Sequence, residues 1–232
     1  VTVTATDSLE GVSLLEELDP AYRLEIARQC RWRRYGAGEQ IIDRQSETRD
    51  VFFIVRGSAR VVIYSASGRE VTLDDIPEGG FFGELAALDG APRSASVMAT
   101  ADTLVASASP ELFLRLVREN TSVAMTLLWR LAAMVRSSTE RIVDLSTLGA
   151  NNRVQAEILR RALEAPADDQ GRPRISPIPV HSEVASRVST TRETVARVLS
   201  DLARKGIVLR ERNTLVVLDL GRLELMVSEM SP

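Results

Sequence analysis

Between Trp32 and Ser109 the apolar residues fall in runs of five to seven residues: Val51–Val55 (VFFIV), Ala59–Tyr64 (ARVVIY), Glu70–Ile76 (EVTLDDI), Ser94–Ala99 (SASVMA) and Thr103–Ala108 (TLVASA). They are rich in β-branched residues, and turn formers separate them at Arg56–Ser58, Ala66–Arg69 and Pro77–Gly80. Strands this short and evenly spaced predict an all-β barrel or a double-sheet jelly roll. No helix of ordinary length fits between them.

The period changes after Pro110. Ser109 is a plausible N-cap, with Pro110 at the first helical position and Glu111 beside it. Thr121 to Leu148 then runs without Gly or Pro, and Leu128, Leu131, Val135, Ile142 and Leu145 step along it by threes, fours and one seven. That stripe is a coiled-coil seam of about three heptads, with Ser138 at one seam position, and it predicts a second helix as partner. Gly149 breaks the pattern. Asn151–Glu164 reads as an amphipathic helix, followed by the loop APADDQGRPRISPIP. Two further helical patterns, Ser182–Val188 and Arg192–Lys205, are joined by Ser189, Thr190 and Thr191, and Gly206 stops the second. A hairpin pattern, IVLRERNTLVVLDL, closes the series. Helix, tight turn, helix and hairpin make a winged helix-turn-helix. The expected class is α+β, with a jelly-roll-like β-roll over residues 1–120, a dimerisation helix over 121–148 and a winged helix-turn-helix over 149–232.

Composition narrows the chemistry. With 44% hydrophobic and 26% charged residues the chain reads as soluble and globular. No apolar run approaches the roughly 20 residues of a membrane span, and VTVTATDSLE has no basic-then-apolar signal pattern, so a cytoplasmic protein is expected. The single Cys30 leaves no disulfide framework or cysteine-rich metal site, and the single His181 makes a His-based metal site or Ser-His-Asp triad improbable. No nucleophile–base pair stands out, and an enzyme is the least favoured class. Charge is uneven: residues 1–148 carry 16 basic and 21 acidic groups, residues 149–232 carry 13 and 11, and Ser182–Arg212 carries 7 and 4. The positive charge is local to the helix-turn-helix, so an acidic whole does not exclude nucleic acid.

One stretch, FFGELAALDGAPRSAS, sets Glu84 and Arg93 among small and apolar residues. An Arg fork suits a phosphate, Gly83 lets backbone N–H groups approach an anion, and Glu84 offers acceptors to a sugar hydroxyl. Ser94 adds a donor beside Arg93. The same residues also fit a purely structural Glu–Arg ion pair. In the second helix of the turn motif, Arg192 and Arg197 suit guanine O6 and N7 and Glu193 suits cytosine N4. A solvated helix face is the plain alternative. Thr191 and Ser182 suit phosphate contacts that set register.

GELAALDGAPRSA resembles the phosphate-binding cassette of cyclic-nucleotide-binding domains, and TTRETVARVL resembles the recognition helix of the cyclic-AMP receptor (CRP/FNR) family. The likeness runs from about Leu9 to Leu218. It implies that Gly83, Glu84 and Leu85 meet the phosphate and ribose, that Arg93 and Ser94 clamp the cyclic phosphate, and that Ser138 and Thr139 contact the purine, Thr139 from the opposite subunit. Arg192, Glu193 and Arg197 match base-reading positions, which implies a half-site resembling TGTGA. Two departures stand out. The cassette loop is one residue shorter than in the best-known receptor, and Met134 stands where that receptor has an Arg, which removes polar support for Glu84 from that position.

The resemblance implies a homodimeric, cyclic-nucleotide-gated regulator of double-stranded DNA, with cyclic AMP or cyclic GMP as effector and RNA polymerase as a partner. A redox- or gas-sensing regulator of the same family would need cysteine clusters or haem ligands, and Cys30 with His181 cannot supply an iron–sulfur cluster. A nucleotide-binding regulatory subunit of an enzyme or channel is a further alternative, disfavoured by the winged helix-turn-helix.

Overall fold

A computed structural model of the chain describes residues 8–65 and 68–228. The opening residues 1–7 and two residues of the Ala66–Arg69 turn, Ala66 and Ser67, lie outside the described residues. The chain divides between Val135 and Arg136 into two compact units.

The first unit begins with α1 (Pro20–Gln29), whose N-cap Asp19 accepts a 2.8 Å hydrogen bond from the Ala21 N–H. The strands are β1 (Arg31–Tyr35), β2 (Gln40–Ile42), β3 (Val51–Arg56), β4 (Ala59–Tyr64), β5 (Glu70–Ile76) and β6 (Phe81–Phe82). A short helix α2 (Glu84–Asp89) precedes β7 (Ser96–Ala99) and β8 (Thr103–Ala108). α3 (Pro110–Glu119) follows, capped by the Ser109 hydroxyl as the sequence predicts, and then the start of α4 (Thr121–Thr147). Two antiparallel sheets form the roll, in strand orders β1-β8-β3-β6 and β2-β7-β4-β5. Alternation explains why VFFIV is apolar throughout. Phe52 and Ile54 join the core between the sheets with Val97 and Val105, whereas Val51 and Phe53 face a second core with Ile26, Phe113, Leu116, Val123 and Leu127. A strand covered on both faces has no polar side to show. The predicted strand at Ser94 begins instead at Ser96, because Arg93 and Ser94 belong to the loop that leaves α2. Strands β1, β2 and β6, and helix α1, are found beyond the predicted elements.

α4 is one 27-residue helix. Leu128, Val135, Ile142 and Leu145 of its stripe are 56%, 66%, 64% and 44% exposed in the single chain. Leu131 is different: it is half-buried and packs on the core of the roll.

The second unit continues with α5 (Ala150–Glu164), β9 (Arg174–Ile175), α6 (His181–Arg187), α7 (Arg192–Arg204), β10 (Val208–Glu211), β11 (Thr214–Val217) and α8 (Leu220–Ser228). Val154, Ile158 and Ala162 of α5 share a core with Val184 of α6, Val195, Val198 and Leu202 of α7, and Leu223 of α8. The predicted hairpin is β10–β11, extended to three strands by β9 from the segment read as a plain loop. Gly149 caps α5 at φ −64°, ψ 159°, a backbone any residue adopts. That conformation does not draw on the freedom of glycine.

Candidate functional site

Gly83 caps α2 at φ 86°, in the left-handed region that favours glycine. A Cβ there would lie 2.8 Å from Arg93 Nη1 and 2.8 Å from the Asp50 carbonyl oxygen. Backbone conformation and close approach both require glycine.

That close approach exists because Arg93 is folded in against the backbone. It is only 4% exposed. Nη1 donates to the Gly83 carbonyl at 2.9 Å and Nη2 to the Asp50 carbonyl at 2.8 Å, with Thr48 Oγ1 at 3.5 Å. The guanidinium carbon lies 5.9 Å from the centroid of Phe52, which stacks on Phe82 at 5.2 Å across β3 and β6. Nε is buried without a hydrogen-bond partner. The carboxylate of Asp50, which could neutralise it, is paired instead with Arg31. Burial lowers the Arg93 pKa, and the charges of Asp50 and Glu84 partly restore it. A buried cation whose direct partners are neutral oxygens is poised for an anion.

Glu84 opens α2 and is 5% exposed. It forms no ion pair with Arg93, so the structural-pair alternative fails in this conformation. Burial raises the Glu84 pKa; its own backbone N–H and the charges of Arg130 and Arg93 oppose that, while Asp74 adds to it. Arg130, on α4, is anchored by a 2.6 Å ion pair to Asp74 of β5. Met134 gives no charge to this region, as its sequence position predicts, but a charge reaches Glu84 from another position on the same helix. Arg130, one helical turn earlier, supplies it. Leu85 is half-buried in α2, and Ser94 is exposed beside Arg93. Ser138 and Thr139 lie on the part of α4 that belongs to the second unit and are exposed in the single chain.

In the second unit Thr191 caps α7, its hydroxyl accepting from the Thr194 N–H at 3.3 Å. The Glu193 pKa is lowered first by its own backbone N–H, then by the Thr191 hydroxyl and the Arg192 charge. The hydroxyl read as a phosphate contact therefore has a capping role within the protein. Arg192, Glu193 and Arg197 are exposed on α7, and Ser182 is exposed in the first turn of α6. Arg197 Nη2 donates to Asn151 Oδ1 at 3.3 Å. Arg153 donates to three carbonyls: Leu148 at 2.7 Å, Val188 at 2.9 Å and Ser189 at 3.3 Å. Thr48, Asp50, Arg130, Asn151 and Arg153 were not singled out by their sequence context.

Burial pushes the Cys30 thiol pKa up to about 12, which disfavours the reactive thiolate. Among the described residues no group of three His, Cys, Asp or Glu side chains is placed to hold a metal ion, and no helix is long and apolar enough to cross a membrane.

The cassette on its β-roll and the helix-turn-helix with its wing define a nucleotide-binding, DNA-binding regulator. Residues 32–120 match the model of the cyclic nucleotide-binding domain, and residues 152–226 that of the Crp-like helix-turn-helix domain. The chain is 31% identical over 198 residues to the cAMP-activated global transcriptional regulator Vfr of Pseudomonas aeruginosa, covering 83% of this chain and 92% of that protein. It is 32% identical over 217 residues to the cyclic AMP receptor protein of Thermus thermophilus, covering 93% and 97%. A solved structure of a CooA mutant from Carboxydothermus hydrogenoformans matches with a TM-score of 0.79 at 22% identity, over 97% of both chains. The chain belongs to the CRP/FNR family of DNA-binding transcription regulators. The relatives it matches include transcriptional regulators, not enzymes.

Proposed function

We propose that this protein is a homodimeric transcription regulator whose operator binding is controlled by a cyclic nucleotide, with cyclic AMP the first candidate and cyclic GMP the second. The observation that carries the ligand reading is Arg93: a buried guanidinium, held by carbonyls, with an unpartnered Nε. A cyclic phosphate supplies the missing acceptor and the missing charge. Gly83 and Leu85 line the cassette, Glu84 accepts from the ribose hydroxyl and Ser94 donates beside Arg93. The names of the relatives support cyclic AMP.

The exposed stripe Leu128, Val135, Ile142 and Leu145 supports self-association along α4, because four large apolar side chains in one register are costly to leave in water. In that dimer Ser138 and Thr139 report the purine to both copies of the helix, Thr139 across the seam. Arg192, Glu193 and Arg197 read bases, while Ser182 and Thr191 set register. RNA polymerase is the partner such a regulator would engage, in the cytoplasm.

Calorimetric titration of the full chain with cyclic AMP and with cyclic GMP tests the effector, and absence of binding by both overturns the reading. Footprinting tests the rest. Arg192→Ala should cost about 1–3 kcal/mol of operator affinity and relax one base of each half-site. Two half-sites about one helical turn apart are expected; a footprint indifferent to sequence overturns the DNA assignment.

A further inference from the structure

The first turn of α5 touches the DNA-reading elements at two points. Arg153 holds the carbonyl of Leu148, the residue that follows α4, and the carbonyls of Val188 and Ser189 in the turn between α6 and α7. Ser189 sits at φ 52°, a conformation unusual for a residue with a Cβ. A guanidinium bound to its carbonyl helps to hold it there. Two residues before Arg153, Asn151 accepts a hydrogen bond from Arg197 on the exposed face of α7.

We propose that Asn151 is a positioning residue for DNA readout, which aims the Arg197 guanidinium from a segment that Arg153 fixes to the turn of the motif. This rests on the reading of Arg197 as a base-contacting residue. The chemistry suits the task. An exposed arginine is a long side chain with many rotamers, and a guanidinium restrained in advance loses less freedom on binding. Arg197 has five N–H donors, and Asn151 takes one, leaving enough for a two-point contact with guanine. An amide restrains without neutralising. A carboxylate at 151 would compete with DNA for the same charge, whereas Asn leaves the positive field intact. Asn151 also follows Gly149 by two residues, so any movement at the end of α4 reaches Arg197 through a single turn of helix.

The test uses the full chain with cyclic AMP, selecting from a pool of duplexes with both half-sites randomised. Arg197→Ala should flatten the preference at one base position. Asn151→Ala should flatten that same position by about three- to tenfold, the worth of one hydrogen bond, with affinity for a non-specific duplex unchanged. Asn151→Asp should weaken binding to specific and non-specific duplexes alike. In the Arg197→Ala background, Asn151→Ala should add nothing. An Asn151→Ala profile equal to the parent's, or an additive loss in the Arg197→Ala background, overturns the proposal and leaves base reading by Arg197 standing. An Arg197→Ala profile equal to the parent's, or a parent that enriches no sequence, overturns both. Asn151 is exposed, so these variants do not disturb the core.

Discussion

Arg93 in the β-roll and Glu157 in the helical unit are both buried, 4% and 6% exposed, yet their surroundings are opposite. Glu157 is completed from within the chain. Arg160 donates at 2.8 Å, Arg161 at 2.7 Å, and the Arg187 guanidinium lies at 3.5 Å, so one carboxylate ties α5 to α6. Arg93 meets carbonyl oxygens and an aromatic face, and one of its N–H groups meets nothing. Burying a charge is expensive in either place. Where the chain supplies every counter-charge, the charge is part of the fold. Where it does not, the charge is the one proposed above to meet a ligand. The contrast sets Arg93 apart from Glu157 as a candidate ligand contact.

The sharpest way to break this contrast is to remove both charges and measure both properties. Arg93→Leu should abolish cyclic-nucleotide binding, a loss of several kcal/mol, because the phosphate would be desolvated with no cation to meet it. Its unfolding free energy should fall by only about 1–2 kcal/mol, since the relief of an incompletely paired buried charge offsets part of the cost of leaving the Gly83 and Asp50 carbonyls without their donor. Tight nucleotide binding by this variant would end the phosphate-clamp assignment.

Glu157→Gln should do the reverse. It leaves three guanidiniums around a neutral amide and should cost about 3 kcal/mol of stability in the helical unit. That is the lower end for a broken buried pair, because the Arg160 side chain is 47% exposed and water screens it. Urea unfolding measures the loss, and calorimetry should find nucleotide affinity unchanged. A variant as stable as the parent would mean that the cluster is not a structural unit.

Much of this was legible in the sequence for a simple reason: period and local motif are local properties. β4, β5 and β8 coincide with the apolar runs Ala59–Tyr64, Glu70–Ile76 and Thr103–Ala108. The clustering of Gly83, Glu84 and Arg93 follows from their nearness along the chain. What escaped notice depends on distance in sequence. β6 and β9 are two residues each, too short for any period, and exist because a neighbouring strand pairs with them. Asp50 serves Arg93 through its backbone carbonyl, which carries no residue-type signal. Asn151 meets Arg197 across 46 positions. Arg130 was missed because the resemblance directed attention to Met134, and a shift of one turn keeps a side chain on the same face of a helix.

Glu84 sharpens the comparison because it lies between the two cases: buried like Glu157, near arginines like Glu157, but paired with none of them as Glu157 is. Burial raises its pKa from the ordinary value, and its own backbone N–H, Arg130 and Arg93 only partly restore it. For an acid raised in the folded state, the ionised form is the disfavoured one. The unliganded protein therefore loses stability as pH rises through the unfolded value, about 4.3, up to the raised folded value. Ligand binding runs the other way. A carboxylate accepts from a ribose hydroxyl more strongly than a protonated acid does, so nucleotide affinity should fall as pH drops through the raised pKa. One linked proton limits the change to about tenfold per pH unit. The cyclic phosphate keeps its charge throughout, and Arg93 keeps its own. Titrations with cyclic AMP at progressively lower pH should show this weakening in the parent and a flat profile in Glu84→Gln. Arg130→Met removes one of the charges that hold Glu84 ionised, so its weakening should begin at higher pH than the parent's. If parent and Glu84→Gln share one profile, Glu84 is not the hydroxyl acceptor, and its burial belongs with that of Glu157 as a feature of the fold.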